Sequence, residues 1–457
     1  MHLKVPAPLD PKFYPLEIAL REYEADVKQS ENTCDFAVTI LRNQGYCDDY
    51  SLRIFKDGVD KRTVPLLDRL VKTLLWARGG YKIVTFGSDE VHAHLKAAYQ
   101  PGGERAFDAD FMATVYERPF EVEKAETLAD ARRSVSSASS VGRHLNGCRI
   151  GFDAGGSDRK VSAVIDGEAV YSEEVVWHPK TQSDPQYHYD GILSAMKSAA
   201  AHMPRVDAIG VSSAGVYIDN KIMVASLFLK VSKEDFARKV KTMYIDVARE
   251  IGAPVEVAND GDVTALAGAM ELNAGNVLGI AMGTSEAGGY VDKDMNITGW
   301  LNELAFAPVD LCENAMQDEW STDIGVGCKY FSQDAVIKLA PAAGIELDEN
   351  LSPAEKLKVV QALMEKDDPR AQAIFESIGA YLAYAVVLYS QFYDIEHMMM
   401  LGRVMSGKGG DTILRVCNEI LADEYPALAK KCEVSLPDEK TRRVGQSVAA
   451  ASLPRIK

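Results

Sequence analysis

From residue 148 onward, short apolar runs alternate with longer amphipathic stretches. "CRIGFDAGG" and "VSAVIDG" predict a hairpin extended by "EAVYSEEVVW"; "VDAIGVSSAG" predicts a buried strand and "VEVAND" a short one. Such runs, rich in β-branched and aromatic residues and closed by Gly, Asp or Asn, are strand signatures. "KEDFARKVKTMYIDVAREIGA" has a helical repeat stopped at Gly252, and "GDVTALAGAMEL" is the helix behind "VEVAND". "NVLGIAMGTS" and "AGGYVDKDMNITG" predict a second hairpin with a glycine-rich connection. Three helical stretches fill 310–393, "HMMMLG" is a strand, and "GGDTILRVCNEILADEY" and "RRVGQSVAAASL" are helices. Upstream, "VPLLDRLVKTLLWARGG" predicts a helix with a Gly-Gly stop, "YKIVTFG" a strand, and "FMATVYERPFEVE" an extended pair with Pro119 at an edge. Hairpins mixed with β-α alternation predict an α/β fold, with two similar halves as one arrangement.

One stretch breaks the pattern. "ARRSVSSASSVGRHLNG", residues 131–147, is too rich in serine to build a core and reads as a linker. It separates an N-terminal α/β accessory domain, 1–130, from the remaining 148–457. The net charge of −17 argues against non-specific binding to nucleic acid or anionic membranes. Seven widely spaced cysteines without a C-x-x-C pair are expected to be reduced thiols. The N-terminus has prolines and charges where a signal peptide needs an apolar run. The most apolar helical stretch, Gly379 to Tyr389, is too short to span a bilayer. A soluble, cytoplasmic protein is expected.

The candidate chemistry lies where strands end. One ends in Asp153, followed by Gly155, Gly156 and Ser157, and another in Asn259-Asp260-Gly261. A third ends in Gly283-Thr284-Ser285, and a fourth in Gly402-Arg403 with Gly407, Gly409 and Gly410 beyond. Ligands of α/β sheets bind beyond the carboxyl ends of strands. Glycines let main-chain N–H groups approach phosphate oxygens, hydroxyls add donors, and a carboxylate holds Mg²⁺ through water. Each motif singly also reads as a tight turn, and "HMMML" as a core strand. The four together, in this order, are far more specific.

From about residue 148 to the C-terminus the chain resembles the ROK family of sugar kinases and sugar-responsive repressors, within the actin, hexokinase and chaperone-ATPase superfamily. "FDAGGSDRK" resembles its first phosphate loop, "VANDGDVTALAGAM" its Asn-Asp motif, "GIAMGTSEAGGYV" its second phosphate loop, "MMMLGRVMSGKGG" its adenosine-binding strand and turn, and "VGQSVAAAS" its C-terminal helix. The resemblance implies two actin-like (ribonuclease-H-like) lobes around a nucleotide cleft. It implies that Asp153 positions hydrated Mg²⁺, and that Gly155, Gly156, Ser157, Gly283, Thr284 and Ser285 face the ATP phosphates. Gly402 and Arg403 would border the adenosine, Asn259 and Glu303 would hold sugar hydroxyls, and Asp260 would be the general base. As a carboxylate at a helix N-terminus, Asp260 is expected to keep a low pKa.

The chain departs from the family at several positions. Phe306 stands where many members have a zinc-binding histidine, and Cys328 alone remains of the cysteine cluster, with Cys312 nearby, so no zinc site is expected. Tyr330 stands where the family has a second sugar-binding glutamate. Asp158 follows Ser157 where members often have lysine, and Arg159 and Lys160 are candidates to replace that charge. "DFAVTILRNQGYCDDYSLRIF" mimics a helix-turn-helix, but Asp48 and Asp49 are poorly placed to face phosphates, so no nucleic-acid partner is expected. The N-terminal region is instead expected to cap or dimerise, giving a homodimer. His178, His188 and His202 are irregularly spaced, as in a solvated loop that overhangs the sugar pocket. The residues favour an ATP- and Mg²⁺-dependent kinase of a sugar or polyol. A sugar-sensing regulator that lost the chemistry, and an ATPase that drives a partner, remain open.

Overall fold

The chain builds two units, each from separated segments: Met1–Ser137, Ile280–Gly288 and Trp300–Leu436 form the first, and Ala138–Gly279, Gly289–Gly299 and Pro437–Lys457 the second. The structure, a computed structural model, describes residues 4–135, 141–437 and 441–456, the side chains of 441–444 excepted. Residues 136–140 of the expected serine-rich linker lie outside the described residues.

The first unit opens with the helix Leu16–Lys28, followed by strands β1 (Thr33–Leu41) and β2 (Cys47–Phe55). These pair antiparallel in the register Leu41↔Cys47, so a hairpin occupies the stretch that mimics a helix-turn-helix. β3 (Lys82–Phe86) and β4 (Glu121–Lys124) complete the sheet in the order β2-β1-β3-β4. Only the second half of the expected extended pair at 111–123 is a strand. The first half belongs to the helix Ala106–Tyr116, which buries Ala109, Met112, Val115 and Tyr116 at helical spacing. Tertiary burial there overrides the β-branched run.

Within the first unit, residues 1–137 also make contacts with residues 300–436. Tyr14 N donates to Asp310 Oδ1 at 2.9 Å, Phe13 packs edge-on against Tyr381 at 4.5 Å, and the Tyr425 hydroxyl donates to Glu17 at 2.7 Å. A buried ion network joins the helix Thr63–Arg78 to the segment around Asp323. Lys72, 1% exposed, pairs with Asp108 at 3.1 Å and Asp323 at 2.7 Å. Arg69 meets Asp323 at 2.7 Å, and Arg105 bridges Asp323 at 3.2 Å and Asp68 at 2.5 Å. Burial by itself would raise Asp323, but the charges of Lys72, Arg69 and Arg105 hold it below the usual carboxylate range. Composition marks a break near residue 131 but does not show these long-range pairs.

In the second unit β5 (Cys148–Ala154), β6 (Asp158–Ile165) and β7 (Glu168–Val176) form an antiparallel meander. β8 (Ala208–Ser213) adds parallel to β5, a small hairpin of β9 (Val216–Ile218) and β10 (Lys221–Val224) follows, and β11 (Val255–Asn259) adds parallel to β8. The order is β11-β8-β5-β6-β7. Ile150, Phe152 and Ala154 share a core with Ile192, Met196, Tyr244 and Val247 of the helices Pro185–Ala200 and Met243–Ile251. The intervening Gly151 and its neighbour Gly210 lie under the C-terminal helix Thr441–Ala451. A Cβ on them would fall 1.8 Å from Ser447 O and 1.6 Å from Ala450 O, so main chain rests on main chain. The single helix expected over 233–251 is interrupted by a π-helical turn at Phe236–Val240 before Met243–Ile251.

The remaining sheet has β12 (Val277–Met282), β13 (Glu286–Val291), β14 (His397–Leu401) and β15 (Glu433–Ser435) in the order β13-β12-β14-β15. The helix Pro369–Tyr389 extends well upstream of the apolar stretch expected from Gly379. Its 21 residues are long and apolar enough to cross a membrane, with mean hydropathy 1.4 over the most apolar 18, yet 83% of that 18-residue stretch is buried inside the protein. Asp368 caps its start by accepting from Arg370 N.

Candidate functional site

The candidate residues fall into two groups, one on each unit. On the second unit, β5 carries Asp153 opposite Ser212 of β8, and the Ser212 hydroxyl donates to Asp153 Oδ1 at 3.0 Å. Gln446 of the C-terminal helix donates to Ser212 Oγ at 3.0 Å and to the main-chain oxygen of Asp260 at 3.3 Å. Asn259 closes β11 and caps the helix Asp260–Leu272: its Oδ1 accepts from Gly261 N, and its Nδ2 donates to Gly215 O, both at 2.7 Å. Asp260 is thus the first helical residue, and the capping role belongs to Asn259. Gly289 permits close packing here, since a Cβ on it would lie 2.0 Å from Gly261 O.

Both aspartates hold protons more tightly than free carboxylates do. Asp153 is pushed up to about 7, first by burial and then by the charge of Asp260, with the Ser212 bond and Lys160 opposing. Asp260 is raised by burial, against its hydrogen bond to the Gly261 N–H and the charge of Lys180. The low pKa expected for Asp260 is therefore corrected. The helix N-terminus does act on it, but desolvation outweighs those N–H groups.

Gly155, Gly156 and Ser157 make the turn between β5 and β6, with Gly156 and Ser157 exposed. The Ser157 hydroxyl donates to Asp158 Oδ2 at 3.0 Å. Trp177, just after β7, braces this turn: its Nε1 donates to Gly155 O at 2.8 Å and its N to Ser157 O at 3.1 Å. The cations expected to serve the turn have partners beside it. Lys160 lies 3.7 Å from Asp158 and 3.9 Å from Glu174, and the Arg159 guanidinium sits 5.7 Å from the Trp177 ring centre. Instead Lys180 reaches the turn, its Nζ 3.1 Å from where a Cβ on Gly156 would stand. The expected solvated histidine loop is also corrected at one position. His188 is fully buried, its Nε2 3.1 Å from Pro179 O and its Nδ1 3.2 Å from Asp184 O. His178 is exposed, and His202 stacks on Tyr171 at 3.9 Å.

On the first unit Gly283, Thr284 and Ser285 connect β12 to β13. Gly283 N donates to Ser285 O at 3.0 Å, Gln333 N donates to Gly283 O at 2.9 Å, and Thr284 and Ser285 are exposed. Gly402 ends β14 at φ +93°, and a Cβ there would lie 2.3 Å from Met282 O, so only glycine brings these two strand ends together. Arg403 is exposed, and its carbonyl accepts from Gln361 at 2.7 Å. Glu303 is half-buried, and its N donates to Trp76 O at 3.1 Å. Phe306 is buried against Trp76 at 4.5 Å, Phe107 at 5.6 Å and Trp320 at 5.7 Å. Cys328 is buried with its thiol toward Asp318 at 3.5 Å, Cys312 is half-buried, and the Tyr330 hydroxyl donates to Asp310 Oδ2 at 2.5 Å. Glu286, which the sequence reading did not single out, is a buried carboxyl that faces the Tyr389 hydroxyl. Burial and then the charge of Glu303 push it up to about 8.

A sequence profile of the ROK family matches residues 149–439. The chain belongs to the ROK family. No curated protein matches this ROK chain. Among solved structures it is similar to a ROK family transcriptional regulator, a homologue of the E. coli MLC protein, with TM-score 0.51 and 16% identity over 67% of this chain and 78% of that one. It is also similar to a ROK family protein from Streptococcus pneumoniae in complex with sucrose, with TM-score 0.50 and 11% identity over 66% and 97%. A Streptomyces griseus ROK glucokinase in complex with glucose and AMPPNP follows at TM-score 0.47 and 19% identity over 67% and 98%. The fold is the actin-like α/β fold of ROK proteins, as the resemblance implies.

Proposed function

We propose that this ROK protein transfers the terminal phosphoryl group of ATP to a hydroxyl of a sugar or sugar-like polyol, with Mg²⁺. The observation that carries this reading is Asp260, a carboxylate fixed at a helix start by Asn259 and Gln446 and made more basic by burial. A sensor needs no such base. The acceptor oxygen bonds to the γ-phosphorus while the bond from that phosphorus to the β–γ bridging oxygen breaks. The electron pair leaves with ADP, and the hydroxyl proton passes to Asp260, a step worth ~10²–10⁴ in rate. Gly155, Gly156 and Ser157 offer N–H and hydroxyl donors to the phosphates, and Gly283, Thr284 and Ser285 carry the same donor types. Gly402 and Arg403 border the adenosine, and Asn259 and Glu303 orient the acceptor.

The donor set fits Mg²⁺. Asp153 presents a carboxylate whose excess proton affinity comes partly from the Asp260 charge, a repulsion that a dication relieves. When bound, the ion neutralises charge on the phosphates. A second reading, a sugar-responsive regulator, is favoured by one observation: at the family's second sugar-glutamate position stands Tyr330, locked onto Asp310 and unable to serve as a carboxylate. ADP release measured against hexoses, amino sugars and polyols decides between them. Acceptor-dependent ADP release supports the kinase. Sugar binding without ADP release supports the regulator, and ADP release indifferent to acceptor marks an ATPase.

A further inference from the structure

We propose that Lys180 is a phosphate-contacting residue of this site, its ammonium placed to meet the charge of the phosphoryl group being transferred. The inference rests on the phosphotransfer reading above. Lys180 sits on the turn Pro179–Thr181, which follows β7 after Trp177 and His178. Its Nζ and Cε lie 3.1 Å and 2.9 Å from the position a Gly156 Cβ would take, so the ammonium covers the glycine turn. The same charge acts on Asp260, opposing the rise caused by burial. One cation therefore serves both the phosphate turn and the base.

Two further observations separate it from an ordinary surface lysine. Among the described residues no acidic side chain pairs with Lys180, whereas its neighbours along the meander, Lys160 and Arg159, are engaged by Asp158, Glu174 and Trp177. Its backbone is also held on rigid parts. Pro179 is buried, its carbonyl accepts from Gln182 N at 3.2 Å, and it faces Nε2 of the fully buried His188. Trp177, three residues upstream, is bonded to both ends of the glycine turn. The base of the side chain is thus fixed relative to Gly155–Ser157, while its tip remains free to follow a phosphate. Phosphoryl transfer spreads negative charge over the equatorial oxygens, and lysine meets it as a mobile point charge.

The test uses the full-length protein with Mg²⁺ and compares ATP, ADP and AMP by calorimetry for the parent, Lys180→Met, Lys180→Arg and the exposed control Lys221→Met. Lys180→Met should lose roughly tenfold in ATP affinity with AMP affinity unchanged within about twofold, and Lys180→Arg should restore most of the loss. With an accepted sugar, kcat should fall about 10- to 100-fold at unchanged sugar KM, which a purely structural role would not produce. ATP affinity within about twofold of the parent overturns the proposal, as does an equal loss for AMP or for Lys221→Met. A parent that binds ATP but turns over no acceptor defeats the kinase reading alone, and the ATP–AMP contrast still decides Lys180. A parent that binds no ATP overturns both.

Discussion

Replacing Glu286 by glutamine should remove a pH dependence from the stability of the first unit. Glu286 is 4% exposed. It faces the Tyr389 hydroxyl on the helix Pro369–Tyr389, Glu303 before the turn Leu304–Phe306, and the Gly327–Lys329 turn, where a Gly327 Cβ would lie 2.2 Å from Oε2. On that turn Cys328 leads on to Asp318, and Lys329 pairs with Glu319 and Asp334. Burial, then Glu303, carries the carboxyl from 4.5 to about 8, with Tyr389 opposing. Between those values the folded chain keeps a proton that the unfolded chain releases. Stability from this group is therefore full below the lower value and drains as pH rises to the upper one. At about 1.36 kcal/mol per pH unit the loss totals roughly 4–5 kcal/mol. Glutamine has the same shape and no charge to release. Urea midpoints of parent and Glu286→Gln at about pH 5, 7 and 9 should show a gap that opens in favour of the variant as pH rises. A gap of constant size, or a parent that is the more stable at the alkaline end, refutes the reasoning.

Gly210→Ala should unfold the second unit at markedly lower temperature, because its Cβ would collide with Ala450 O at 1.6 Å; a cost of about 1–3 kcal/mol or more is expected by calorimetry. Lys72→Met leaves Asp108 and Asp323 buried around a lost charge and should cost about 3–5 kcal/mol in the first unit's unfolding, read by urea titration. Asp260→Asn should lower turnover by ~10²–10⁴ with nucleotide affinity little changed in the same preparation. Since Asn259 supplies the cap, its thermal midpoint should stay near the parent's.

What the sequence shows and what it hides divide along physical lines. The strand ends at Ala154, Asn259, Met282 and Leu401 are legible to within a residue because apolar runs there meet Gly, Asp or Asn, and the structure ends its strands at those points. The helix Ala106–Tyr116 is not, because Thr114, Val115 and Tyr116 favour strands locally and only burial decides against them. The Asp260 shift is hidden for a similar reason: a helix N-terminus is visible in the sequence, but the loss of water is not. "HPKTQSDPQYHYDG" reads as polar loop, and no local signal tells that His188 lies buried against Pro179 O and Asp184 O or that Lys180 is carried to Gly156. The partition of the chain is the least legible part. Tyr14 with Asp310, and Lys72 with Asp323, are pairs whose members are separated by most of the chain.

The C-terminal helix lying main chain to main chain on Gly151 and Gly210 bears on how the protein is made. A ribosome extends the chain from the N-terminus, so the five-stranded sheet of the second unit emerges long before Thr441–Ala451 can cover it. The first unit waits as well, because the partners of Phe13, Lys72 and Arg69 arrive only with residues 300–436. Neither unit can be finished before its late segments are made, and the sheet of the second unit stays uncovered until Thr441–Ala451 leaves the exit tunnel. A stop codon just ahead of Thr441 would spare both glycine turns and both aspartates, and would still release a polypeptide that depends on chaperones rather than a slightly shortened native protein.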